Sequence, residues 1–330
     1  MPDKAVHPPV RVAVVSPIGA PLLAWLRERS EVDHRPRASQ ADLPGLTDPQ
    51  VVVLRSNVTL GAAELAAMPH LRLVVRTGSG TDNICLGTLA ARGIDLVRTG
   101  GEPSAPAVAE LALQSALTLL RRVPLVTAAL RAGDWAKNTW LGEELAGSCV
   151  GVWGAGPVGR AVEKVFTAVG ATVLYADHAS VPSASARAAP HELAARAGLH
   201  VFALPHRPET TGYVDQDLLR AFGPRRPHLV NVGRWELFDM PAVLAALESG
   251  MLSGVSVDPV DLVHMKEAGP LAARAADPRR PLNLQLTPHV GATTEAAYAR
   301  VSATTIGLLE ERWPRLFPSG NRSDPTKGAR

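Results

Sequence analysis

The sequence predicts an α/β protein made of two units, each a parallel sheet with helices on both faces. Three observations carry that prediction. The chain has 330 residues, more than one typical core accommodates. Short runs rich in Val and Leu alternate with helical stretches, the order that parallel sheets require. The alternation halts at Gly100-Gly-Glu-Pro-Ser-Ala-Pro106, whose Gly and Pro content marks a connection, and then starts again.

In the first series, Val10 to Val15 predicts a buried strand and Pro21 to Arg29 a helix. A strand is predicted at Val51 to Leu54 and a helix at Gly61 to Met68. Two more strands are predicted at Leu71 to Val75 and Ile94 to Val97. A long helix from Ala107 to about Arg122 follows the connection, with Glu110 near its N-terminal end, where a carboxylate is favoured. The second series predicts strands at Ser148 to Trp153, Thr172 to Ala176, Leu199 to Ala203, His228 to Val232, Gly254 to Val257 and Leu284 to Leu286. A last helix is predicted from Thr294 to about Arg312, and periodicity does not say which unit it joins. No repeat of solenoid period is present.

Composition narrows the class. Hydrophobic residues at 46% and charged residues at 20% exclude a disordered or fibrous chain. Aromatic residues are only 4%, so Ala, Val and Leu must fill the core. The net charge of +3 is spread along the chain, without the basic stripe that nucleic-acid binding needs. Asn321 to Arg330 reads as a solvated basic end. Cys85 and Cys149 are far apart and lack ligand spacing, which predicts no metal site and a reducing compartment. The first residues lack the apolar run of a signal peptide, and no stretch has the apolar length of a membrane span, so a cytoplasmic protein is expected.

Gly154-Ala-Gly156-Pro157-Val158-Gly159 matches GxGxxG. Alone that pattern is weak; here a predicted strand runs into it and a helix leaves it, with Val158, Val162, Val165, Phe166 and Val169 on one face. In a dinucleotide-binding turn Gly154 allows the tight bend, Gly156 admits the pyrophosphate and Gly159 lets helix and strand pack. The helix N-terminus favours the phosphates, and Pro157 suits the first helical turn. The next strand ends at Asp177, placed to accept from the ribose hydroxyls and to repel a 2′-phosphate, which selects NAD over NADP.

Three later segments end apolar strands in polar residues: Leu229-Val-Asn-Val-Gly-Arg234, Ser256-Val-Asp258 and Leu286-Thr-Pro-His289-Val-Gly-Ala292. Ligands of open α/β sheets bind at such carboxyl ends. Arg suits a carboxylate and His suits proton transfer near neutral pH. Singly, each has a bland reading: a solvated Arg, a structural His, an Asp capping a helix. Their joint occurrence behind the Gly-rich turn carries the argument.

On these motifs the sequence resembles the D-isomer-specific 2-hydroxyacid dehydrogenase family, in its phosphoglycerate dehydrogenase-like short form without a regulatory domain. Further segments match in order: Arg55-Ser56-Asn-Val-Thr59, Arg76-Thr-Gly-Ser79-Gly80-Thr-Asp-Asn-Ile84, Ala107-Val-Ala-Glu110, Pro205 with Pro208-Glu-Thr210, Asn231-Val232-Gly233-Arg234 and Thr287-Pro-His-Val-Gly291. The resemblance implies two Rossmann-like or flavodoxin-like parallel-sheet domains with the active site in the cleft between them. Residues 1–100 with 291–330 would form the substrate domain and 101–290 the NAD domain, in a homodimer. It implies that Arg234 binds the carboxylate of a small 2-oxo acid and polarises its C2 carbonyl, and that His289 exchanges a proton with that oxygen. Arg55, Ser56, Ser79 and Gly80 would line the substrate. Pro157, Val158, Asp177, Pro205, Thr210, Val232, Gly233 and Gly291 would line the cofactor, and Asp258 would contact the nicotinamide carboxamide.

The sequence also departs from the family. A Glu is expected a few residues after Asp258 to pair with the catalytic His, but the spot near Val263 has no acid. Glu267 is the preferred candidate, since it precedes His289 by 22 residues (289 − 267), a spacing like the family's. Asp261 as partner, or no partner, are the alternatives. Trp235 follows Arg234 where the family has Gly, so it would reshape the pocket, reach a dimer contact or pack on the sheet. Pro259 replaces a usual Val, and Ser104 a frequent Asn. Two other functions stay open: an NAD(H)-sensing scaffold with little turnover, and a dehydrogenase for formate or phosphite.

Overall fold

The computed structural model describes residues 9–135, 137–176, 185–277 and 279–318. The chain divides into two compact units. One holds the residues up to Pro103 together with those from Tyr298 on; the other is Ser104–Ala297.

The first unit contains five strands: β1 (Val10–Val14), β2 (Ser30–His34), β3 (Val51–Leu54), β4 (Leu73–Arg76) and β5 (Asp95–Arg98). They pair in parallel in the order β2-β1-β3-β4-β5, the flavodoxin-type order. Every residue of β3 and β4 is buried, because helices cover both faces of the sheet, and this explains their unbroken apolar runs. β2 was not evident from sequence; its Ser-Glu-Val-Asp-His lies at the sheet edge, where polar side chains are tolerated. The last helix, Glu295–Leu316, supplies Leu309 and Trp313 to this unit's core, and Trp25 meets Trp313 edge-on at 5.3 Å. Periodicity left that allegiance undecided.

The second unit contains β6 (Cys149–Trp153), β7 (Thr172–Ala176), β8 (Arg187–Ala188), β9 (Leu199–Phe202), β10 (His228–Asn231), β11 (Gly254–Val257) and β12 (Leu284–Leu286). All are parallel, in the order β12-β11-β10-β9-β6-β7-β8. The strand order reverses between β6 and β9, which makes that point the ligand-binding crevice of a Rossmann-type sheet. One face is packed by the helices Ala105–Leu120 and Pro157–Ala168, through Leu119, Val162 and Phe166. The other is packed by Leu193, Phe222, Trp235 and Val243. Val169, read from periodicity as part of the packed face, instead caps the helix and is exposed.

A buried polar pair crosses this second core. Trp153 Nε1–H donates to His200 Nδ1 at 3.2 Å. A Cβ on Gly151 would lie 2.6 Å from that nitrogen, so glycine in mid-strand makes room for the imidazole. Burial pushes the His200 imidazole down to about 3 and that of His228 to about 4. No described helix is long and apolar enough to cross a membrane.

Candidate active site

All strands of the second sheet are parallel, so its site segments emerge at one edge. β6 runs into Gly154–Gly159, β10 into Arg234, β11 into Asp258 and β12 into His289. Gly154 adopts φ 110°, and a Cβ there would stand 2.8 Å from the Ala203 carbonyl after β9. A Cβ on Gly159 would overlap the Gly154 carbonyl oxygen. These two glycines are therefore demanded by the fold itself. Gly156 is not: its φ of −69° suits any residue, and nothing lies within 4 Å of its Cβ position. Gly156 is the N-cap of a 12-residue helix and, lacking a side chain, puts no capping group in front of the first-turn amides. First-turn amides without helical partners and a free approach for an anion fit a dinucleotide pyrophosphate. Asp177, expected on the ribose, lies outside the described residues. Pro205 and Thr210 sit together, because Thr210 Oγ1 donates to the Pro205 carbonyl at 2.8 Å.

The Arg234 turn is built by its neighbours. Asn231 ends β10 fully buried; its Nδ2 donates to the Arg234 carbonyl at 2.7 Å and its Oδ1 accepts from Gly233 N–H at 3.0 Å. A Cβ on Gly233 would come 2.5 Å from the Leu204 carbonyl, so only glycine lets the turn lie so close. Val232 and Arg234 remain partly exposed beyond the sheet edge.

Asp258 holds the histidine loop. Its Oδ1 accepts from Thr287 Oγ1–H at 2.7 Å and Val290 N–H at 2.9 Å, and its Oδ2 accepts from Gly291 N–H at 2.9 Å. His289 N–H donates to the Asp258 backbone carbonyl at 2.7 Å. The loop so clamped puts His289 at φ 56°, a left-handed conformation uncommon for a side chain of this size. Asp258 thus acts first on the chain's own backbone, a role the sequence did not suggest.

The expected pairing of Glu267 with His289 is corrected. His289 Nδ1 lies 2.9 Å from Asp261 Oδ1, and both side chains are partly buried. Glu267 is exposed in the first turn of helix Met265–Ala275. The spacing argument treats the chain between Asp258 and Glu267 as a short insertion. Instead β11 is followed by a single 3₁₀ turn, Leu262–His264, and Asp261 is its N-cap, which brings the acid to the histidine three residues after Asp258. Trp235 is buried and stacks on His264, with centroids 5.2 Å apart and planes at 15°, so it packs within its own unit.

In the first unit, Arg55 and Ser56 follow β3, and Ser79 and Gly80 follow β4. Arg55 N–H donates to Ser16 Oγ at 2.8 Å, and Asn83 Nδ2 donates to the Arg55 carbonyl at 2.7 Å, fixing that loop. The Arg55 guanidinium lies over the Tyr298 ring, 5.0 Å from its centroid. Arg98 Nη1 donates to the Ser79 carbonyl at 3.1 Å. Among the described residues, no cluster of His, Cys, Asp or Glu could hold a metal ion.

A Gly-rich turn at the switch point of a Rossmann-type sheet, with an Arg turn and a His–Asp pair on the same edge, defines a dinucleotide-dependent α/β protein. The family sequence model for the D-isomer specific 2-hydroxyacid dehydrogenase NAD binding domain matches residues 113–291, over half of the chain. D-3-phosphoglycerate dehydrogenase of Mycobacterium tuberculosis (strain ATCC 25618 / H37Rv) is 32% identical over 263 residues, covering 78% of this chain and 48% of the relative. The D-3-phosphoglycerate dehydrogenase of Methanocaldococcus jannaschii is 28% identical over 296 residues, covering 87% and 54%. The chain spans about half the length of the curated relatives it matches. Among solved structures, the TT0316 protein from Thermus thermophilus is similar with a TM-score of 0.78 and 26% identity, covering 92% of this chain and 97% of that one. The chain belongs to the D-isomer specific 2-hydroxyacid dehydrogenase family and carries that family's NAD-binding domain.

Proposed function

We propose that the protein interconverts a small 2-oxo acid and its D-2-hydroxy acid with NAD(H). The observation that carries this reading is the 2.9 Å His289–Asp261 pair on the sheet edge that also bears Arg234 and the Gly-rich turn. When bound, NADH supplies the hydride that reduces C2. The guanidinium of Arg234 holds the substrate carboxylate and polarises the C2 carbonyl. His289 keeps Nδ1–H on Asp261, which leaves Nε2 to give its proton to the carbonyl oxygen during reduction and to take it back during oxidation. Asp261 fixes the ring and its tautomer; it takes the role that spacing had suggested for Glu267. With three acceptor sites on Asp258 already occupied, roughly one of a carboxylate's four remains for the nicotinamide carboxamide. Arg55, Ser56, Ser79 and Gly80 contribute to substrate binding, and the working assembly is a homodimer.

The test is NADH oxidation against pyruvate, glyoxylate, hydroxypyruvate, phenylpyruvate and branched-chain 2-oxo acids. Turnover of any member supports the reading and ranks the pocket by size. NADH binding with no turnover across the panel overturns it in favour of a sensing scaffold. Reduction of NAD by formate or phosphite, without 2-oxo acid activity, overturns it in favour of those anions.

A further inference from the structure

Asp261 is held by a second histidine that no expectation included. The 3₁₀ turn Leu262–His264 is closed by a reciprocal capping box. The His264 backbone N–H donates to the Asp261 carbonyl at 2.9 Å, and the Asp261 backbone N–H donates to His264 Nδ1 at 3.1 Å. The other imidazole nitrogen, Nε2, lies 3.2 Å from Glu236 Oε1. One ring face is covered by the Trp235 indole. His264 therefore ties the segment that carries the acid to Trp235-Glu236, the two residues that directly follow Arg234. Because Nδ1 accepts from Asp261 N–H, the proton of a neutral ring resides on Nε2, facing Glu236. The ring joins two segments that continue from neighbouring strands, β10 and β11.

Resting on the function proposed above, we infer that His264 is a positioning residue for the reaction: stacked on Trp235 and anchored by Glu236, it fixes Asp261 against His289 and ties that pair to the Arg234 turn. Leu262 and Val263, which follow the acid, are exposed, so the turn that carries the carboxylate is not anchored by its own apolar side chains. The bond from the Asp261 N–H is the part of this bracket that a side-chain change can remove selectively. The arrangement also accounts for Trp235: a large ring at that position is the platform on which His264 rests.

The experiment compares His264→Gln, His264→Asn and wild type. Asn places an amide oxygen where Nδ1 stood and can accept from Asp261 N–H. Gln places its amide where Nε2 stood, toward Glu236, and leaves Asp261 N–H without its acceptor. Two readouts are taken: steady-state reduction of the best 2-oxo acid, and the downfield Nδ1–H proton resonance of His289 in the protein alone, assigned by its loss in Asp261→Asn. The expected result for His264→Gln is loss of that resonance and a kcat at least tenfold lower, with KM for the oxo acid and for NADH within about twofold. His264→Asn should retain the resonance and recover most of kcat at a similar thermal midpoint. A His264→Gln protein with the resonance and kcat of wild type overturns the inference. So does an Asn variant as impaired as Gln, since that points to bulk packing. If the resonance follows this pattern while no panel member is turned over, the positioning stands and the proposed reaction fails.

Discussion

His289 Nδ1 meets Asp261 Oδ1 at 2.9 Å while the His289 backbone sits at φ 56°. The side chain is aimed by an acid that follows one strand, and the backbone is bent by the Asp258 clamp at the end of that same strand. β11 thus leads into both the acid that aims this ring and the clamp that bends its backbone.

Asp261→Asn should lower kcat for reduction by about 10- to 100-fold, since outer partners of a catalytic group commonly carry that much. KM should change little, because Arg234 is untouched. Glu267→Gln, an exposed change, should leave kcat within about twofold. Steady-state rates for the two variants check both statements.

The glycines of the first turn should separate folding from cofactor binding. Gly156→Ala meets no protein atom, so its thermal midpoint should stay within about 1 °C of wild type, a surface-type change. Its affinity for NADH should fall at least tenfold, because the methyl occupies the space left for the pyrophosphate. Gly159→Ala drives a methyl into the Gly154 carbonyl and should destabilise the unit by roughly 1–3 kcal/mol as well. Calorimetry and fluorescence titration with NADH check the contrast.

Gly291→Ala tests the clamp. Its Cβ would stand 2.9 Å from Asp258 Oδ2, on the side where Gly291 N–H donates. The carboxylate must retreat, freeing the His289 loop. Reduction should drop at least tenfold, and by more than the affinity for NADH, which loses only the carboxamide contact of Asp258, as measured by parallel kinetics and titration.

Acid should unfold the second unit through its buried histidines. His200 and His228 fall to about 3 and about 4 in the fold, below the ordinary 6.5. The unfolded chain therefore binds the extra protons, and stability rises with pH in this window. Neither residue costs anything above pH 6.5. As pH falls from there toward 4, each withdraws up to about 1.4 kcal/mol per pH unit, and His200 continues to do so toward 3. His228→Leu should move the acid midpoint of unfolding to lower pH, followed by circular dichroism.

Much of this architecture is readable from the chain alone because full burial leaves a simple signature. Val51–Leu54 and Gly254–Val257 are buried throughout and have the bounds the sequence predicts. Ser30–His34 and Arg187–Ala188 escape that signature because sheet edges accept polar residues. Helix Met265–Ala275 is obscured by Gly269 and Pro270, which locally argue against a helix. The site divides in the same way. Arg234 and His289 stand at strand ends and announce themselves. Asp261 depends on a capping box with a histidine, rather than Glu or Gln, at its third position, so spacing to His289 favoured Glu267 instead. His264 and Glu236 act through a ring stack and a hydrogen bond between segments 28 residues apart, which no local pattern encodes.

The most direct test of the account is the turnover of His289→Ala beside wild type, with NADH and the best substrate of the 2-oxo acid panel. Removal of the proton donor should lower kcat/KM by about 100- to 10,000-fold while NADH still binds. A variant within twofold of wild type would contradict the assignment of His289 and, with it, the chemistry proposed for this sheet edge.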